Sequence, residues 1–160
     1  MRIADIVIRP ATNADCDRVI DLVSTVLAEF QLPFDRDSKD ADLKDIEASY
    51  IQAGGVFELI EDAQGKLLGT YGLFPLNDNT CELRKMYFLA EIRGLGLGKR
   101  VLECAVDQAR RLGFRAIVLE TISVLKRAID LYTRFGFVPA RMDHANARVD
   151  QKYILELAIS

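Results

Sequence analysis

Arg93-Gly94-Leu95-Gly96-Leu97-Gly98-Lys99-Arg100, preceded by the apolar run Leu83 to Leu89 and followed by a helix-patterned stretch, decides how this chain folds. A strand that delivers a glycine-rich turn into a helix N-terminus presents several outward backbone N–H groups. The helix dipole adds positive character, and the missing Cβ atoms let a phosphate approach closely. The spacing excludes two familiar phosphate loops. Arg93 stands where a Walker A loop needs its first glycine, and Arg100 follows the lysine where Ser or Thr is required. Glycines spaced evenly by two, in mid-chain, do not make a dinucleotide fingerprint either. The expected ligand is the pyrophosphate of another nucleotide-derived cofactor, and Arg84, Lys85, Arg93, Lys99 and Arg100 cluster around the loop where an anion would want them.

Working outward, Thr80 to Phe88 reads as the strand feeding the loop. Val56 to Ile60 and Lys66 to Phe74 form a hairpin before it, with a turn at Pro75 to Asn79. After the loop, Val101, Leu102, Ala105, Val106, Ala109 and Leu112 mark one face of a helix that stops at Gly113. Ala116 to Leu119 is a buried strand parallel to the one before that helix, so the unit is a right-handed crossover. Toward the N-terminus, Ile3 to Ile8 reads as the body of a strand that ends at Arg9-Pro10. Thr12 caps a helix striped by Val19, Leu22, Val23, Val26, Leu27 and Phe30, which Pro33 ends. A weaker amphipathic helix carries Leu43, Ile46, Tyr50 and Ile51 up to Gly54-Gly55, in a region expected to face substrate rather than the core. Toward the C-terminus, a helix covers Ser123 to Arg134 and closes at Gly136. Extended segments follow from Phe137 and over Gln151 to Ile159, joined by a loop from Arg141 to Asp150. The order β-α-α-β-β-β-α-β-α-β-β predicts a mixed sheet with helices on both faces, in a single domain spanning residues 1–160.

Composition narrows the function classes. Half of the 160 residues are apolar, 28% are charged, and no apolar stretch approaches the length of a membrane span. The N-terminus lacks a signal-peptide h-region, so a cytoplasmic protein is expected. A net charge of −3 and the absence of tryptophan give no nucleic-acid signature. Cys16, Cys81 and Cys104 lack metal-ligand or disulfide spacing, and His144 is the sole histidine, so no metal site is expected.

With that order in place, the motifs resemble those of the GNAT family of acetyl-CoA-dependent N-acetyltransferases. Arg93-Gly94-Leu95-Gly96-Leu97-Gly98 matches the family's Arg/Gln-x-x-Gly-x-Gly/Ala signature. Ala128-Ile129-Asp130-Leu131-Tyr132-Thr133-Arg134-Phe135-Gly136-Phe137, about thirty-five residues on, matches its Ala-x-x-Leu-Tyr-x-x-x-Gly-Phe block. The likeness covers the chain from Val56 onward; the first fifty residues match in element pattern only.

The resemblance implies an α/β (mixed α+β) fold whose mostly antiparallel central sheet is flanked by about four helices and splayed between its fourth and fifth strands. It implies that backbone N–H groups of Arg93, Gly94, Leu95, Gly96, Leu97, Gly98 and Lys99 hold the pyrophosphate of acetyl-CoA. Met86 and Phe88 would offer backbone groups to the pantetheine arm beside a bulged strand. Tyr132 would protonate the departing thiolate, and Glu82 would act as general base through water, with Glu120 as the other candidate. Direct attack by a primary amine of a small molecule or peptide is expected over an acyl-cysteine route through Cys81 or Cys104. Leu125 stands where many members have asparagine, a departure that touches cofactor detail.

The alternative on the same fold is a non-catalytic acyl-CoA sensor, which would need neither Glu82 nor Tyr132. The acceptor groove should be shaped by the first two helices, the loop near Asn77 and the connection from Arg141 to Asp150. There Arg141, His144 and Arg148 are candidates for an acceptor carboxylate. A homodimer is compatible with the family pattern.

Overall fold

In chain order the strands are β1 (Val7–Pro10), β2 (Val56–Glu61), β3 (Leu67–Pro75), β4 (Thr80–Phe88), β5 (Ala116–Thr121), β6 (Val138–Ala140) and β7 (Gln151–Glu156). The α-helices are α1 (Cys16–Glu29), α2 (Leu97–Arg111) and α3 (Lys126–Phe135). The computed structural model describes residues 3–158, so the terminal pairs, including the expected strand end at Ile159, lie outside the described residues. The strands form one sheet in the order β1-β2-β3-β4-β5-β7-β6. Every neighbouring pair is antiparallel except β4 with β5. Among the described residues no helix is long and apolar enough to cross a membrane.

Side-chain alternation sorts the strand residues to two cores. Phe57 and Leu59 of β2 point to the face covered by α1, where Val19, Leu22, Val23, Val26 and Leu27 are buried as the stripe predicts. Ile60, one residue on, joins the opposite core beneath α2, with Val101, Leu102, Ala105 and Ala109. Each helix is held by one apolar stripe, so its polar face needs no partner.

Four boundaries differ from the sequence reading. Residues Ile3–Asp5 form a 3₁₀ turn, so the first strand starts only at Val7, while it ends at Pro10 as expected. Helix α1 ends before Pro33, because Gln31 adopts φ 54° and the N–H groups of Gln31 and Leu32 turn back to Ala28 O (3.1 Å) and Leu27 O (2.9 Å). That is a Schellman closure with glutamine in the left-handed position. The second helical segment is a 3₁₀ turn (Ala41–Lys44) followed by a single π turn (Glu47–Ile51). Its Leu43, Ile46 and Tyr50 are fully buried, so this segment belongs to the core rather than to a substrate-facing region. Helix α3 starts at Lys126 because Ser123 is tied to Asp150, N–H to Oδ1 at 2.9 Å and Oγ to Oδ2 at 2.8 Å.

Where β1, β2 and α1 meet, two arginines and two carboxylates interlock. Arg9 donates to Glu61 (2.8 Å) and Asp15 (2.9 Å), and Arg18 to Glu61 (2.7 Å) and Asp15 (3.1 Å). Hydrogen bonds from Arg9 hold both carboxyls below their ordinary values of 3.8 and 4.5, with Arg18 adding to each and the Thr12 N–H adding to Asp15. A depressed folded-state value stabilises fully above the unfolded-state value and is lost as pH falls through the folded one. The urea midpoint is therefore expected to stay level above about pH 5 and to fall progressively below about pH 4.5. Arg9→Gln should lower the neutral plateau and flatten the acid limb. An unchanged limb in that variant would assign acid sensitivity to other carboxyls.

Candidate active site

The site begins with a failure of strand pairing. Strand β4 pairs with β5 only through Thr80, Cys81 and Glu82, against Ala116, Ile117 and Val118. Beyond Glu82 the two strands part, as the resemblance implies. A register shift between β3 and β4 at Thr70/Gly72 coincides with Lys85 at φ 55°, and the Lys85 carbonyl accepts from Thr70 Oγ1 at 2.7 Å. This bulge increases local twist and turns β4 away from β5. A groove of about 1100 Å³ fills the wedge, with Glu82, Arg84, Met86 and Phe88 along one wall and Leu119, Glu120 and Tyr132 along the other. Glu82 is the last paired residue, so it sits at the apex.

The glycine loop closes the wide end. Gly94 and Gly96 have φ of 82° and 81°, which side-chain-bearing residues rarely adopt, and no heavy atom lies within 4 Å of a Cβ built on Gly94. Gly98 serves packing instead: its Cβ would stand 2.7 Å from Leu131 Cδ2, so a bare backbone lets α2 approach α3. Gly94, Gly96, Leu97, Gly98 and Lys99 border the groove, whereas the Leu95 side chain is exposed and outside it. The left-handed Gly96 caps α2. The first N–H groups of the helix therefore face the opening, where a pyrophosphate fits with no side chain in the way.

Arg93 also borders the groove, but its guanidinium is already engaged. It donates to Phe88 O at 2.7 and 3.0 Å and to Glu29 at 2.5 and 3.0 Å, fastening the loop to β4 and α1. The Phe88 carbonyl expected to meet a pantetheine arm is thus taken by Arg93. Leu89 N–H bonds Leu68 O on β3 (3.0 Å), so by alternation the backbone of Phe88 faces the open edge.

Tyr132 is buried on α3 with 7% exposure, stacked edge-on against Phe137 at 5.8 Å between ring centroids. Burial, with a smaller effect of Tyr87, raises its hydroxyl above the ordinary 10, so it stays protonated at neutral pH. No hydrogen bond engages that hydroxyl among the described residues, although its residue borders the groove. Glu82 is bound through Oε1 by Arg84 Nε, and the Arg84 guanidinium lies over the Phe74 ring at 3.9 Å. Glu120 is half-open and 3.4 Å from His144 Nε2. Leu125, in the position of the usual asparagine, precedes α3 as an apolar N-cap and borders the groove.

Neither thiol suits a covalent route. Cys81 is fully buried, which pushes its thiol up to about 12, and Cys104 is raised chiefly by burial; neither borders the groove. Among the described residues no group of three or more His, Cys, Asp or Glu side chains stands together to hold a metal.

The acceptor end differs from expectation. Its walls are the end of α1, Ser38 and Lys39, and the segment from His144 to Val149; Asn77 is not among them. Asn77 instead accepts from the N–H groups of Asn79 and Thr80, both at 2.9 Å, within its own turn. Arg141 is 92% exposed at its side chain and also lies outside the groove. Arg148 borders it but cannot serve an acceptor carboxylate, because Asp40 holds it bidentately at 2.7 and 3.1 Å. Lys85 joins the same cluster at 3.0 Å from Asp40 and 3.3 Å from Asp42. Burial alone would raise the Asp40 carboxyl, yet Arg148, the Asp35 N–H and Lys85 hold it below the ordinary range. The sequence offered no motif for this cluster; the unusual density of Asp from 35 to 45 was its only trace.

Residues 21–137 match the model of the acetyltransferase (GNAT) family. The chain is 38% identical over 136 residues to the uncharacterized N-acetyltransferase YjgM of Escherichia coli (strain K12), covering 82% of this chain and 81% of that one. A GNAT-family acetyltransferase from Staphylococcus aureus Mu50 superposes with a TM-score of 0.89 at 26% identity, covering 96% of this chain and 99% of the other. The structure of yncA from Salmonella typhimurium with its cofactor acetyl-CoA shares the fold, with a TM-score of 0.75 at 22% identity over 97% of this chain and 95% of the other.

Proposed function

Because this chain belongs to the acetyltransferase (GNAT) family, and is thereby an acetyl-CoA-dependent N-acetyltransferase, we propose that it moves the acetyl group directly to a primary amine held at the apex of the β4–β5 wedge. One observation carries this reading: the strand pairing ends at Glu82, so a carboxylate stands where the two walls of the groove converge.

Acetyl-CoA, when bound, supplies a thioester carbonyl as electrophile and a thiolate as leaving group. The N–H groups of Leu97, Gly98 and Lys99 hold the pyrophosphate, and the open edge of β4 receives the arm. Glu82, held by Arg84, takes the proton that an ammonium acceptor must lose before its nitrogen becomes a nucleophile, directly or through one water. Tyr132 gives its hydroxyl proton to the departing sulfur and recovers one from solvent when products leave. No acyl-enzyme forms, since none of Cys16, Cys81 and Cys104 borders the groove. The sensor alternative has no observation in its favour, because Glu82 and Tyr132 both border a groove in which a pure binder needs neither.

Purified protein with acetyl-CoA and a panel of amino acids, polyamines, aminoglycosides and peptides should release free CoA thiol with at least one acceptor. Acetyl-CoA at 100 times its Kd should add about 2.7 kcal/mol of stability, an upward Tm shift of roughly 5–10 °C for a chain of this size. No thiol release with any member would overturn the transfer reading.

A further inference from the structure

Glu82 and Arg84 lie two residues apart on β4, on one face of the strand, and both border the groove. Arg84 uses Nε to hold Glu82 Oε1 and its guanidinium also meets the Tyr50 hydroxyl, which leaves Oε2 and further guanidinium N–H donors for a ligand. The stack on Phe74 at 3.9 Å fixes the plane of the guanidinium, and its side chain keeps 32% exposure. Three other cations of the groove wall, Lys85, Arg148 and Arg93, are engaged. Lys85 meets Asp40, Asp42 and the Lys39 carbonyl, and Arg148 meets Asp40 and the Pro33 carbonyl. Arg93 is held by Glu29 and Phe88 O. On the β4 wall, at the apex of the wedge, a carboxylate and a guanidinium therefore stand side by side with acceptor and donor capacity to spare.

From this juxtaposition we infer that the acceptor is a free α-amino acid, its ammonium received by Glu82 and its carboxylate by the outer nitrogens of Arg84. The inference rests on the transfer reading above and deepens it. A compound with ammonium and carboxylate on one carbon presents opposite charges at the spacing of a side-by-side ion pair, and a guanidinium fork matches a carboxylate in two parallel hydrogen bonds. An amine without the carboxylate leaves those donors facing an apolar or neutral group in a partly dehydrated groove, which is how polar sites reject analogues. Peptide N-termini and polyamines fail on the same ground.

The test compares the twenty L-amino acids, each beside its own carboxamide, with the full chain in two measurements. One is thiol release from acetyl-CoA; the other is the thermal shift of the protein with CoA present, which requires no turnover. At least one free acid should exceed its carboxamide by tenfold or more in kcat/KM and should raise Tm where the amide does not. Arg84→Gln should bring that ratio to near one, mostly through KM, and Arg84→Lys should restore part of it. Equal use of acid and amide by the unaltered protein overturns the inference without needing any variant, as does a preference that survives in Arg84→Gln. Turnover of amides or plain amines without acid preference removes this inference and keeps the transfer reading. Acid-selective binding without turnover of any amine does the reverse.

Discussion

Tyr132→Phe should lower kcat by about 10²–10⁴-fold, the usual range for a positioned proton donor, while leaving acetyl-CoA affinity within a factor of a few. The substitution is unusually clean here. The ring is 7% exposed and packed edge-on against Phe137, so phenylalanine keeps the shape and the aromatic contact. The hydroxyl engages no partner among the described residues, so its removal orphans nothing. Stability should therefore move little, within about 1 kcal/mol. The buried hydroxyl keeps its proton at neutral pH, so the donor is loaded before a thiolate appears beside it. The measurements are steady-state turnover on the best acceptor and the Tm shift with acetyl-CoA. A kcat within threefold of the unaltered protein would remove Tyr132 from the chemistry and leave it as packing.

What was legible in the sequence follows from how local each demand is. Gly94 and Gly96 are glycine because the backbone there is left-handed, and Gly98 because Leu131 occupies the space of a Cβ; each requirement is written in one residue. The stripes of α1 and α2 are equally local, since burial on one face repeats every three or four residues. Leu43, Ile46 and Tyr50 show the limit of that rule. Steps of three and four suggest one helix, but the same spacing is met by a 3₁₀ turn followed by a π turn, with all three residues still buried. The bulge at Lys85 carries no local mark, because a lysine at positive φ is sustained by Thr70 Oγ1 on the neighbouring strand. Arg148 stands in the sequence only as one of three candidates for an acceptor carboxylate. Its partner, Asp40, lies 108 residues away and is recognisable only once the chain is folded.

Asp40→Ala is expected to lose about 3–5 kcal/mol of unfolding free energy, a large part of the roughly 5–15 available to an ordinary domain. Asp40 has no exposed side-chain surface, and its partners Arg148 and Lys85 are 9% and 8% exposed. Deleting it leaves a nearly buried guanidinium with the Pro33 carbonyl at 3.2 Å and the Tyr87 hydroxyl, and no carboxylate, among its described partners. Lys85 suffers less, because the Lys39 carbonyl at 3.2 Å and Asp42 at 3.3 Å remain. The loss should therefore come mainly from Arg148, and a cycle separates the two. Arg148→Met in the Asp40→Ala background should be more stable than Asp40→Ala alone, since it removes the orphaned charge. Urea midpoints of the four proteins check this, and a single-variant loss under about 1 kcal/mol, or a double variant weaker than the single, would show the cluster to be energetically idle. Asp40 also joins the segment from Pro33 to Asp42 to the segment from Asn146 to Val149 across the acceptor end, with Lys39 Nζ to Asn146 Oδ1 at 2.8 Å as a second tie. Acceptor KM should consequently rise in Asp40→Ala while acetyl-CoA affinity holds, because among the described residues no hydrogen bond or ion pair joins the glycine loop to Asp40, Lys85 or Arg148.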